Sequence, residues 1–290
     1  MVKIKNLLFD IEIEINEDKK TKKINANSKK TEVKSEIKSI KNTEKTGAGI
    51  FEDMVVVNGG KYKPSFRVDE VKVIDLEVSK YQVTNNLWNR IMKNTSGDMS
   101  PVVEITYWEA LEFCNKLSKK YGLKPVYKIN RNKLSIKILE LDGKEVAPGK
   151  ADFSKTEGFR LPTEVEWEWF ARGGEVAIQN NTFDYNYSVS NTVGIVGVNN
   201  QFKNVGTKKP NQLGIYDCSG DVWEWCYDTW EQNVYTKKGF IYDESKREHV
   251  LRGGSHRRSF FDNTRSHSVS FFGIIFDTLR YGSFRVVRTL

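Results

Sequence analysis

Three kinds of side chain in this sequence could do chemistry: thiols, imidazoles, and a terminal stretch rich in arginine and phenylalanine. The thiols are Cys114, Cys218 and Cys226, an odd number at spacings that match no zinc or haem motif, so they read as reduced, buried groups. The imidazoles are His249, His256 and His267. His256 has no cysteine or carboxylate at motif spacing, which makes it a contact residue rather than a ligand or base. The third group is the most unusual. The sequence has 33 Lys, 23 Glu, 5 Gln, 4 Met and 7 Trp, all within the first 251 residues, and that rate predicts roughly 11 such residues after Leu251, where there are none. Seven of 13 Arg, six of 16 Phe and two of three His fall instead in residues 252–290. Side chains of these types make directional and aromatic contacts, the chemistry of recognition rather than of bond breaking.

The elements that must position this tail can be read from capping and periodicity. Thr84 is an N-cap for a helix carrying Leu87, Trp88, Ile91 and Met92 at helical spacing. Thr106 with Glu109 forms a capping box ahead of Ala110, Leu111, Cys114 and Leu117, and Gly122 follows the last turn. Thr163 with Glu166 repeats the device, and that helix runs to Gly173-Gly174. Met54–Val57 and Val71–Val78 read as half-buried strands, and 125–156 as a hairpin elaboration closed at Asp142-Gly143. From residue 175 onward the helical period is lost, and short apolar runs between Asn, Gly and Asp predict a loop-rich β region.

Charge and composition narrow the function class. The net charge is +8, but residues 1–48 supply half of it with 12 Lys against eight acids, so the rest is too mildly basic for a nucleic-acid footprint and no specific nucleic acid is expected. From Asp18 to Thr46 large apolar groups are too sparse to offset ordering entropy, so 1–48 is expected to be a flexible charged leader and Gly47-Ala48-Gly49 the joint to a domain over 49–290. No signal-peptide pattern or apolar span of membrane length occurs, which predicts cytoplasmic synthesis without membrane insertion and is compatible with delivery on a phage particle or display at a cell surface.

The motifs Gly158-Phe159-Arg160-Leu161-Pro162-Thr163-Glu164-Val165-Glu166-Trp167-Glu168, Gly214-Ile215-Tyr216-Asp217-Cys218-Ser219-Gly220-Asp221-Val222-Trp223-Glu224-Trp225, Arg252-Gly253-Gly254-Ser255 and a final Phe284-Arg285 resemble, in order and spacing, the formylglycine-generating-enzyme or sulfatase-modifying-factor family over about residues 50–290. That resemblance implies an α+β, C-type lectin-like fold, loop-rich with small sheets and a few helices. It does not carry the activity. The family's enzymes oxidise a substrate cysteine with a copper-binding cysteine pair that would align here with Arg258 and Asn263, and no cysteine follows Cys226. Copper(I) needs soft thiolates, so no copper is expected, and an oxidoreductase of this type is the disfavoured alternative. The related sulfoxide synthases need a histidine-based iron site, for which three histidines, none in the leader, are insufficient.

The tail is similar instead to the variable region of diversity-generating retroelement proteins, which use this fold as a receptor scaffold and randomise template adenines, chiefly in asparagine codons ending in a pyrimidine. Such codons can write every amino acid except Lys, Glu, Gln, Met and Trp, the five missing types. Ser283 departs from the family's usual Gly-Phe-Arg ending. The resemblance implies a non-catalytic binder of a macromolecule, a protein, through His256, Arg257, Arg258, Phe260, Phe261, Asp262, His267, Phe271, Phe272, Ile274, Phe276 and Tyr281. Phe284, Val286 and Val287 read as core residues of a terminal strand. By the same family resemblance the strip 217–224 matches a structural Ca2+ loop, with oxygens from Asp217, Gly220, Val222 and Glu224. The other reading of Asp217 and Glu224 is turn capping or pairing with Arg252 or Arg285. Trp167, Trp169, Trp223 and Trp225 read as core rather than as a carbohydrate platform.

Overall fold

The computed structural model describes residues 3–4, 13–14, 53–180, 202, 204–231, 234, 236–237, 239–254 and 282–290. The chain divides into two units, Met1–Ala48 and Gly49–Leu290. In the first, Lys3–Ile4 (β1) pairs antiparallel with Ile13–Glu14 (β2). The rest of that leader, including its expected flexibility, lies outside the described residues.

The second unit is α+β, with four small sheets and four α-helices among its described residues. Strands Met54–Val57 (β3), Gly60–Tyr62 (β4), Val71–Val73 (β5) and Leu76–Ser79 (β6) precede helices Asn85–Met92 (α1) and Tyr107–Lys120 (α2). A meander of Tyr127–Asn130 (β7), Ser135–Leu139 (β8) and Glu145–Val146 (β9) follows, then helices Glu164–Ala171 (α3) and Gly174–Gln179 (α4). The chain closes with Trp223–Thr229 (β10), His249–Arg252 (β11), Gly282–Ser283 (β12) and Val287–Thr289 (β13). No helix among the described residues is long and apolar enough to cross a membrane.

The caps act as the sequence predicts. Thr84 Oγ1 accepts from Leu87 N at 3.2 Å, and both Thr106–Glu109 and Thr163–Glu166 form reciprocal capping boxes. Two expectations are corrected. Helical structure does not end at Gly173-Gly174: Gly173 (φ 93°) and Gly174 (φ 57°) take the left-handed region that glycine tolerates, and the chain re-enters a six-residue helix too short to display a period. The 125–156 elaboration has a third strand, β9, which two residues could not announce.

One strand organises the core. In β10 all seven residues are buried, and successive side chains serve opposite sides. Trp223, Trp225 and Tyr227 join a cluster with α1, α2, β7 and β8, whereas Cys226 joins a second cluster with β3, β5, β6 and α3. The end of the chain ties these clusters together. Phe284 meets both Trp88 and Phe113 edge-on, at 6.2 and 5.2 Å, while those two rings stack at 5.5 Å. Phe284 and Val286 enter the first cluster and Val287 the second. The three are core, as expected, but not as one alternating strand: 284–286 is irregular between β12 and β13.

Candidate functional site

The polar side of β10 holds the two ends of the tail. Strand β11 runs antiparallel along one edge of β10 and β12 parallel along the other, and both Arg252 and Ser283 stand in register with Glu224. The chain thus leaves at Arg252 and returns at Ser283 on either side of one residue, two strand spacings or about 10 Å apart.

Buried arginines fix both ends. Arg285 donates from Nε to Glu224 Oε2 and from Nη2 to Glu224 Oε1, each at 2.7 Å. Its remaining donors go to the carbonyls of Ser79, Lys80 and Tyr216 at 3.0–3.2 Å, so the whole guanidinium fork is used. At the other end Arg252 Nη2 donates to Glu168 Oε2 at 2.7 Å, and the guanidinium lies 5.1 Å from the Trp167 ring centroid. Just past it, Gly253 (φ 92°) and Gly254 (φ 81°) make a turn whose Gly253 carbonyl accepts from Gly220 N at 2.7 Å. A third buried pair, Arg160–Glu166 with contacts of 2.7 and 2.8 Å, braces β13, because Arg160 and Val287 exchange backbone hydrogen bonds of 2.8 and 2.9 Å.

The loop 217–224 was expected either to hold calcium or to pair with an arginine, and at Glu224 the geometry answers with the arginine. Glu224 accepts from Arg285 Nε and Trp167 Nε1 on Oε2, and from Arg285 Nη2 and Gln82 Nε2 on Oε1. Four donors fill the four lone-pair directions of a carboxylate, leaving none for a cation. Asp217 Oδ2 accepts from Gly206 N at 2.6 Å, and the Gly220 carbonyl accepts from Val222 N at 3.0 Å. Of the four oxygens expected for Ca2+, the Glu224 carboxylate is thus committed to protein donors and does not fit a cation as arranged. Asp221 differs from its neighbours: its buried Oδ1 has no hydrogen-bond partner, and burial, with the Asp217 charge adding to it, pushes its carboxyl up to about 7.

The remaining candidates are core groups. Burial raises all three thiols, Cys218 to about 12, so none is a thiolate at neutral pH. His249 stacks on Tyr107 at 3.4 Å, and burial lowers it to about 3. Trp167, Trp169, Trp223 and Trp225 are all buried, as expected of core residues. The contact residues from His256 to Tyr281 lie outside the described residues. Sequence reasoning missed Gln82, Glu164 and Glu168 as parts of the frame. A signal existed: Glu164, Glu166 and Glu168 sit in a helix whose every residue is buried, and buried acids demand partners.

Residues 40–290 match the family described as the sulfatase-modifying factor enzyme 1-like domain. The "Chaperone protein LppX" of Paenibacillus barcinonensis is 32% identical over 216 residues, 64% of this chain and 75% of that protein. The formylglycine-generating enzyme of Mus musculus is 33% identical over 121 residues, 34% of this chain, and the match spans only 30% of the mouse enzyme. Among solved structures, Treponema denticola variable protein 1 superposes with a TM-score of 0.54 at 24% identity, covering 82% of this chain and 95% of that one. CarF superposes with a TM-score of 0.58 at 21% identity, covering 82% and 98%. These neighbours carry the C-type lectin-like fold expected from the sequence.

Proposed function

This chain belongs to the family of sulfatase-modifying factor enzyme 1-like domains, and we propose that within it the chain is a non-catalytic binder presenting a diversified surface between Gly254 and Gly282. The observation that carries this reading is the frame: both ends of the tail are anchored on opposite edges of β10 by Arg252 and Arg285, with both carboxylate partners buried. The ion pairs and the Phe284 wedge are built from residues outside 255–281, so exchanging residues in that stretch keeps every one of these anchoring side chains. The composition of the tail supports diversification by pyrimidine-ending codons, and the likeness to a protein named as variable accords with it.

The ligand is a protein, recognised by the aromatic and arginine side chains from His256 to Tyr281. Similarity to a protein named as a chaperone fits a protein ligand. Copper-dependent cysteine oxidation is the alternative. It is disfavoured because no cysteine follows Cys226 and the three thiols are buried and protonated.

The test is genetic. The coding DNA near this gene is expected to hold a near-copy of the codons for 252–290, differing at template adenines, beside a reverse transcriptase. A locus with neither overturns diversification. Purified protein given copper and a cysteine peptide is expected to yield no formylglycine, and product formation would overturn the non-catalytic reading.

A further inference from the structure

Beside α1 lies a cleft of about 320 Å3 that the proposed function leaves unused. Its walls come from Asp53, Ser79, the segment 81–84, the outer face of α1 at Asn86, Leu87 and Arg90, and Met99 and Tyr121. Two opposite charges line it, Asp53 and Arg90, and neither side chain is engaged in a hydrogen bond or ion pair among the described residues. Sharing one cleft, they nevertheless do not close on each other, which leaves both available to a ligand that carries both signs. The surface between them is mixed: Val83, Leu87 and Met99 offer apolar contact. Gln82 also lines it, and its amide hydrogens go to Asp217 O and Glu224 Oε1, at 2.7 and 3.0 Å, which ties this wall to the buried frame beside β10.

The walls are also held rigidly. Tyr81 packs on Tyr216 at 5.0 Å, and a Cβ at Gly206 would lie 2.6 Å from the Tyr81 ring, so that ring is pinned in place. Ser79 N and Val83 N donate to Val286 O and Phe284 O at 2.9 and 2.8 Å, which seats the cleft on the constant return of the tail rather than on its variable part. Preorganised walls of this kind spare a ligand the cost of ordering them.

We infer that this cleft binds a small zwitterion with an apolar side chain, a free amino acid or a short peptide, its carboxylate on Arg90, its ammonium on Asp53 and its side chain against Leu87 and Met99. An ammonium suits Asp53, whose carboxylate takes no donor among the described residues. The site lies outside the variable segment, so it stands or falls independently of diversification.

Isothermal titration of the full chain with leucine and with leucyl-leucine tests it. Saturable binding at millimolar or lower concentration is expected for one or both, and the preferred arm identifies the source. N-acetyl-leucine and leucinamide, each lacking one charge, should bind about tenfold more weakly or worse. Arg90→Gln and Asp53→Asn should weaken leucine or leucyl-leucine binding to a similar extent, while leaving the melting temperature and circular dichroism of the unliganded protein unchanged. No saturable heat from either ligand, equal affinity for the blocked forms, or indifference to both substitutions overturns the inference.

Discussion

Two ion pairs in this molecule have the same N–O separation and opposite importance. Arg285–Glu224 and Lys128–Glu145 each close at 2.7 Å. The first has side chains 0% and 1% exposed, the second 62% and 43%. On the β7–β9 meander, water already solvates both charges, so bringing them together gains little. Beside β10, neither charge has water to fall back on, and each depends on the other and on the carbonyls and amides around it. Distance therefore says little about consequence here, and burial says most. The molecule places its costly pairs where the ends of the tail must be held and its cheap ones on the outer surface of the elaboration.

The largest expected effect comes from breaking a buried pair on one side only. Arg285→Met removes the cation and leaves the Glu224 carboxylate desolvated and uncompensated, a loss of about 3–5 kcal/mol in denaturant unfolding. Adding Glu224→Gln to that variant removes the stranded charge and is expected to restore a substantial part of the loss. If the single variant unfolds like the wild-type chain, the claim that this pair anchors the tail is lost.

Much of this arrangement was legible in the sequence where the signal is local. Thr106 with Glu109 and Thr163 with Glu166 announce their helices within four residues, and the apolar stripe of α2 predicted the burial of Cys114. The tail's boundaries also showed, as a change in vocabulary after Leu251. What did not show was pairing at long range. Arg252 finds Glu168 across 84 positions and Arg285 finds Glu224 across 61, and nothing near either arginine in sequence names its partner. The sequence leaves Glu224 between two roles for that reason, since a carboxylate reads the same whether a cation or a guanidinium faces it. Gln82 and Asp221 were invisible for a related cause: their importance lies in what the fold does or does not place beside them.

Asp221 supplies the intermediate case, a buried carboxylate with no arginine. Its side chain is 5% exposed as a residue and its Oδ1 is without a partner. Its folded pKa, about 7, lies above the 3.8 of an ordinary aspartate, so the folded state keeps a proton that the unfolded chain loses. Stability therefore falls as pH rises between those two values and is level above them. Asp221→Asn removes the titration and suits the positive φ of 64°, which asparagine tolerates. The variant should match wild type below pH 4 and exceed it by up to about 4 kcal/mol at pH 8, measured by urea unfolding across that range. A gain that does not grow with pH would show that the carboxyl is solvated or paired after all.

The smallest effect should come from the exposed pair. Glu145→Gln removes the partner of Lys128, which stands directly opposite Lys137 across β7 and β8. Two like charges in that register repel, and Glu145 offsets the repulsion. Because water screens all three groups, the loss should be about 0.5 kcal/mol at low salt and should fade as ionic strength rises and the Debye length shrinks below the separation of the charges. Unfolding of this variant with and without molar salt makes the measurement. A loss rivalling that of Arg285→Met, or one insensitive to salt, would mean that the meander pair is shielded from water and that exposure does not separate the two regions.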